Sequence, residues 1–213
     1  MVSSIENHEF EKLLSLRWRN GLLDFGSLES LFYTLRQAPK KRGLLRVDRP
    51  EDEQVLGVLA RDQEIVDKLN NESSIQLLWS VCQLPNFRNS TSSSHHHLVK
   101  KVYSFLYEGE KIPDEWISGQ IKMLERVDGN INDLLDRIAG IRIWTYVSNK
   151  AGWVEKSSGW DLKTRQVEDD LSDALHQSLT KRFVDQKTSV LVKRLRNKKD
   201  VQIDIKEDGV VTV

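Results

Sequence analysis

The chain has 213 residues, of which 38% are hydrophobic and 30% charged, and its formal net charge is +0. This suits a soluble globular chain with a heavily charged surface and room for one large or two small cores. It leaves no global field to draw the protein to a polyanion, so any such attraction must come from local segregation of charge. Cys82 is the sole cysteine, which excludes an intramolecular disulfide and a cysteine zinc site; in its apolar setting, LLWSVCQL, it reads as a small core residue. The start, MVSSIENHEF, lacks the apolar core of a signal peptide, and no apolar run approaches a membrane span. The expectation is a cytoplasmic protein with no membrane association.

Helical periodicity dominates from the start. Trp18 sits between Arg17 and Arg19, a pattern suited to stacking on an unpaired base, but five surrounding leucines favour a core role. Ser27 caps a predicted helix bearing Leu28, Leu31, Phe32 and Leu35 that ends before Pro39. Residues 38–43 (APKKRG) read as a basic loop. Pro50 suits a first helical turn, followed by Glu51, Asp52 and Glu53 at the positive end of the helix dipole. Val55, Leu56 and Leu59 form its apolar stripe, which Ile65, Val66 and Leu69 continue or restart. Ile75, Leu78, Trp79 and Cys82 follow at helical spacing until Pro85 stops the helix.

Residues 86–94 are polar and serine-rich and predict a loop. A helix over 96–108 then presents Val99, Val102 and Leu106. Pro113 opens another with Trp116, Ile117, Ile121 and Leu124. Asn130 caps the next, with Ile131, Leu134, Leu135, Ile138 and Ile141 facing inward. From Ile138 to Val147 that helix is apolar almost all round, which argues burial on several sides. Trp153 and Trp160 flank a Gly/Ser turn, and a long arm from Trp160 sets Val167, Leu171, Ala174 or Leu175, and Leu179 on one face. At the end the period changes: Val201, Ile203 and Ile205 alternate with polar residues, Asp208–Gly209 signals a turn, and residues 210–213 are apolar. This predicts a short C-terminal β-hairpin whose last strand has no terminal breaker, as expected for a piece of a longer chain. The fold class expected is mainly α: a helical bundle with a short C-terminal β-hairpin, strand being largely confined to that end. The expected organisation is a helical region over 1–85, a bundle with a basic arm over 95–199, and the hairpin over 200–213.

The arm sorts its charge. Residues 163–180 hold two bases against four acids, net −2; residues 181–199 hold eight bases against Asp185 alone, net +7. Such a block is an electrostatic footprint for RNA or DNA, although a solvated helix face gives the same pattern. The candidate contacts are Lys181, Arg182, Lys187, Lys193, Arg194 and Arg196, with Lys40, Lys41 and Arg42 of the basic loop second.

Other constellations read more simply. His95, His96 and His97 offer imidazoles for a transition metal, but lack an acidic or cysteine partner nearby and suit a solvated junction before a helix. Asp128-Gly129-Asn130 echoes a calcium loop, yet Leu124 and Arg126 stand where oxygen ligands are needed, so a capping turn is the better reading. Ser172, Asp173 and His176 share a helix and lack the oriented base and oxyanion pocket of a nucleophilic triad. Glu168, Asp169 and Asp170 point in different directions around a helix and make a poor metal cage. Trp79, Trp116 and Trp144 lie on apolar faces and read as core.

The stretches IRIWTYVSNKAGWVEKSSGW and TRQVEDDLSDALHQSLTKRFVDQKTSVLVKRLR resemble the C-terminal region of bacterial DExH-box (superfamily-two) RNA helicases, the alphaproteobacterial relatives of the mitochondrial degradosome helicase. LRWRNGLLDFGSLESLFYTLRQAP, LGVLARDQEI, LLWSVCQLPNFR and LERVDGNINDLLDRIAGIR extend the resemblance over nearly the whole chain. It implies an accessory region that follows the two motor domains, packs on them in cis and helps form a path for single-stranded RNA, with a ribonuclease as a further partner. A nucleotide motor needs a Gly-rich turn followed by Lys and Ser or Thr, and an Asp-Glu pair opening the helicase box; neither is in this sequence. The family's ATPase residues therefore have no counterparts here. The chain alone is expected to be no enzyme and to hold no cofactor, ATP and Mg belonging to motor domains outside it. A protein–protein adaptor with a basic docking arm is the alternative.

Overall fold

Most helices of the computed structural model start where the sequence supplies a cap. The structure describes residues 6, 8, 15–88, 92–107, 109–155, 159–198, 204–205 and 211–212; for 92, 194–198 and the last two pairs it describes the backbone alone. Helix α1 (Leu28–Leu35) begins after Ser27, whose hydroxyl accepts the Ser30 N–H at 3.0 Å. Pro50 precedes α2 (Glu51–Leu59), whose first turn carries three acids at the positive end of the dipole. Asp62 then caps α3 (Gln63–Val66), so the apolar stripe restarts instead of continuing. Asn71 and Ser74 close a reciprocal capping box on α4 (Glu72–Cys82), and Asn130 and Asp133 close another on α7 (Ile131–Asn149). Between them lie α5 (Ser92–Tyr107) and α6 (Asp114–Lys122), the latter entered through Pro113. The last helix, α8 (Trp160–Lys198), has 39 residues and is about 58 Å long at the usual rise.

The apolar stripes of these helices meet in one core running from Leu31 to Leu171. Helix α7 is its axis: Leu134, Ile138, Ile141, Ile143, Trp144 and Val147 are buried, so its near-continuous apolar run is covered on several sides. Trp144 meets Trp116 edge-on at 5.2 Å, and Trp116 meets Phe105 at 5.1 Å, tying α5, α6 and α7 together. Ile75, Leu78, Trp79 and Cys82 of α4 pack behind Val99, Val102, Tyr103 and Leu106 of α5. Burial pushes the Cys82 thiol far above its ordinary value, as befits an inert core residue. Buried Glu53 accepts from Arg36 at 3.3 Å and from Arg46 at 2.6 Å and so ties α1, β2 (Leu44–Arg46) and α2 at the N-terminal end. The fold is mainly helical, as the periodicity predicts, and β3 (Asp204–Ile205) pairs antiparallel with β4 (Val211–Thr212) at the C-terminal end. The remaining residues of that predicted hairpin lie outside the described ones.

Four expectations are corrected. Strand is not confined to the C-terminal end: β1 (Leu16–Trp18) pairs in parallel with β2, Leu16 beside Leu44 and Trp18 beside Arg46. Three residues are too few to show an alternating pattern; backbone bonds from Leu16 N–H to Gly43 O and from Val47 N–H to Trp18 O, both 2.9 Å, join the strands, and buried Asn20 ties the exit of β1 to α1 by donating to Thr34 O at 2.9 Å. The loop read over 86–94 ends sooner, because α5 already begins at Ser92. Leu135 is exposed, since the inward arc of α7 runs through Leu134 and Ile138. Leu179 is exposed because α8 has by then left the bundle core.

His95 is part of the second of these corrections. It is buried, not a solvated junction residue. His95, Val99, Val102 and Leu106 stand at i, i+4, i+7 and i+11, so one inward stripe of α5 includes the imidazole. Its Nε2 is buried with no partner, and burial lowers its affinity for a proton below the ordinary value of 6.5. The unfolded chain therefore takes up this proton at higher pH than the folded chain, and stability is lost as pH falls below 6.5. Urea midpoints measured across that interval are expected to fall more steeply for the natural chain than for His95→Gln; parallel curves would remove His95 as the cause.

Candidate nucleic-acid interface

The two halves of α8 stand in different surroundings. The first half lies along α7, with Thr164, Val167 and Leu171 buried against it. Polar contacts reinforce the seam: Arg142 pairs with Glu168 at 2.8 Å, Ser148 meets Thr164 at 3.3 Å, and Lys163 reaches Glu125 at 2.8 Å. Glu168 is thus partly neutralised by the bundle, while Asp169, Asp170 and Asp173 face solvent. From Leu179 to Lys193 every residue of the helix is exposed.

Lys181, Arg182, Lys187 and Lys193 all lie in this exposed half, and none has an ion-pair partner among the described residues. The Lys187 ammonium sits 4.5 Å from the centre of the Phe183 ring on its own helix. Arg194 and Arg196 follow on the same helix, their side chains outside the described atoms. Lys40, Lys41 and Arg42 are exposed in the loop between α1 and β2, which turns at Gly43 with φ of 85°.

One arrangement was not readable in the sequence. The N-terminal end of α7 and the middle of α8 enclose a hollow of about 480 Å3, lined by Asn130, Asn132, Ser178, Lys181, Arg182 and Asp185 among others. The positive end of the α7 dipole favours an anion there, while the N–H groups of Asn130, Asn132 and Asp133 are already bonded within the capping box. Lys181 and Arg182 add two full charges and Asp185 removes one, leaving an open cationic notch. Some fifty residues of chain separate Asn130 from Arg182, and only the packing of α7 on α8 brings them together.

The other candidates resolve as structure. Arg19 is engaged, its guanidinium 4.8 Å from the Trp79 ring and its Nη1 2.6 Å from Asp52, so it does not support a base on Trp18, which is half-buried in β1. Ser172, Asp173 and His176 are exposed along α8. At the 128–130 turn Arg126 pairs with Asp128 at 2.7 Å and holds its carboxyl below the usual range, while Arg137 donates to the Arg126 carbonyl at 2.6 Å and to that of Asp128. These oxygens are occupied by guanidinium groups, as a capping turn requires. Among the described residues no group of three or more His, Cys, Asp or Glu is placed to hold a metal. A cleft of about 720 Å3 between α5, α6 and α7 mixes Arg88, His97 and Lys101 with Asp133 and Asp136, a less one-sided surface than the arm. Among the described residues no helix is long and apolar enough to cross a membrane.

Compared with protein-family models, with curated proteins and with solved structures, the chain finds no match in any of the three.

Proposed function

We propose that this chain is the accessory C-terminal region of an ATP-dependent RNA helicase, packing on the motor domains and contacting the backbone of single-stranded RNA, with no ATPase activity of its own. The observation that supports it best is the cationic notch where Lys181 and Arg182 meet the N-terminal end of α7, at the root of an arm on which Lys187 and Lys193 have no ion-pair partner among the described residues. Lys and Arg in this setting contact phosphates and read little sequence, so binding is electrostatic and non-specific. The helicase and the single strand rest on the sequence resemblance, and the cationic notch supports phosphate contact.

Fluorescence anisotropy with labelled oligonucleotides at several salt concentrations tests this. Each cation that neutralises a phosphate on a single strand contributes about −0.7 to the slope of log K against log salt. Replacing Lys181, Arg182 and Lys193 by Ala is expected to weaken binding about 10- to 100-fold at low salt, equally for all sequences, and to flatten the slope by about 2. Replacing Lys193, Arg194 and Arg196 is expected to act in the same direction. If both triple variants bind RNA as the parent does, the reading fails and the adaptor with a basic docking arm takes its place.

A further inference from the structure

A second basic segment lies away from α8. Residues 36–49 hold six bases, Arg36, Lys40, Lys41, Arg42, Arg46 and Arg49, against Asp48 alone, net +5. α1, β2 and α2 fold this segment around an open cleft of about 950 Å3, lined by Arg36, Arg46, Arg49 and Arg61 against Asp48 and Glu53. Two of these arginines are fixed by one carboxylate. Buried Glu53 accepts from Arg36 Nε at 3.3 Å and from Arg46 Nη2 at 2.6 Å, and Arg46 Nε also donates to the Leu35 carbonyl at 3.3 Å. Both carboxylate oxygens are engaged, while each guanidinium keeps N–H donors to spare. The Arg36 guanidinium lies 5.0 Å from the centre of the Phe32 ring, and its side chain remains 64% exposed. Arg49 and Arg61 are exposed and have no ion-pair partner among the described residues.

The cleft wall also carries two backbone features that packing does not require. Arg49 stands at φ 35°, in the left-handed region that favours glycine, and the Gln54 side chain donates to its carbonyl at 2.7 Å. Strain of this kind collects where a side chain has to be aimed. Gly57 stands inside α2, where glycine weakens a helix, yet nothing beyond its own turn lies within 4 Å of where a Cβ would stand. A bare stretch of helix backbone in the cleft wall lets a ligand come close.

We propose that this cleft holds the phosphate backbone of a single-stranded nucleic acid, as an anchoring site separate from α8. The proposal extends the RNA reading but stands on other residues, so the two can fail separately. A planar guanidinium fork matches phosphate oxygens in pairs. The Lys40, Lys41 and Arg42 loop joins α1 to β2, so positive charge continues from the arginine cleft over a longer path than one phosphate needs, which favours a polyanion over a free anion. An acidic peptide would meet the same charge. The Arg36 guanidinium, backed by Phe32 and held at its edge by Glu53, adds a flat plate for stacking on a base, which a peptide carboxylate cannot use. Phosphate contacts carry no sequence information, so no base preference is expected.

Fluorescence anisotropy of the full 213-residue chain with a labelled oligouridylate of about 20 nucleotides tests this. Arg49→Gln/Arg61→Gln is expected to weaken binding about tenfold at low salt and to flatten the slope of log K against log salt by about 1.4. Gly57→Leu fills the cleft without changing charge. It is expected to weaken binding about fivefold while its thermal midpoint stays at or above the parent's, because leucine is the better helix former. Loss of binding there cannot come from unfolding. Lys101→Gln/Lys122→Gln removes the same charge from exposed positions on α5 and α6 and is expected to cost less than about twofold. A cleft variant of either kind that binds as the parent does would overturn the proposal, and so would a control pair that loses as much as the arginine pair. A labelled oligoglutamate of equal charge that binds as tightly as the RNA would make the cleft a docking site for an acidic protein and overturn it as well. Failure of the α8 variants alone removes the RNA reading of the arm and leaves the cleft standing.

Discussion

Trp144→Ala is expected to destabilise the protein by about 3–5 kcal/mol, the largest effect of any single substitution considered. Trp144 is buried on α7 and meets Trp116, which in turn meets Phe105, so its removal empties the point where α5, α6 and α7 converge. A domain of this size holds about 5–15 kcal/mol in all, so the variant is expected to lose a large part of its margin. Urea unfolding followed by circular dichroism measures this as a shift in midpoint at unchanged slope. A shift worth less than about 1 kcal/mol would mean that the neighbouring aromatics collapse into the space and that Trp144 is not the keystone of the bundle.

Glu53→Ala is expected to cost about 2–4 kcal/mol, at the lower side of what breaking a buried pair costs because Arg46 keeps a quarter of its side chain in solvent. Deleting the carboxylate strands the Arg46 guanidinium, which Glu53 holds at 2.6 Å, and also releases Arg36 at 3.3 Å. The check is a double-mutant cycle. Glu53→Ala/Arg46→Met is expected to be more stable than Glu53→Ala, since the uncompensated charge is then gone. If the double variant is simply the sum of the single ones, the pair contributes nothing of its own and the β2–α2 junction rests on apolar packing.

Much of the bundle is legible in the residues. Ser27, Asn71 and Asn130 mark helix starts because each side chain offers an oxygen to an N–H that the helix leaves unpaired. Pro85 and Pro113 mark boundaries because the ring removes a donor and fixes the backbone. The stripes of α2, α4 and α7 announce their burial through spacing alone. The β1–β2 pairing was hidden: its partners are Leu16 to Trp18 and Leu44 to Arg46, too short for a pattern, and what joins them is backbone bonding that no side chain announces. His95 was hidden by its neighbours, since a run of three imidazoles reads as a polar tract until Val99 and Val102 are counted with it. The basic block was visible as composition, but the exposure of α8 from Leu179 to Lys193 needs the path that the helix takes past the bundle. The notch between α7 and α8 needs tertiary structure outright.

The arm also has a mechanical character. Its first half is clamped to α7, through Leu171, Thr164 and the Arg142–Glu168 pair, and its second half is exposed from Leu179 to Lys193, a cantilever over that stretch. A continuous helix is stiff over this length, so the junction near Leu179 works as a fulcrum. A tilt of about 5° there carries a tip roughly 28 Å away through about 2.5 Å. Conversely, any load on the tip arrives at the root multiplied by that lever arm, as torque on the seam formed by Val167, Leu171 and the polar pairs beside them. Whatever grips the far end of α8 therefore has leverage over how α8 lies on α7.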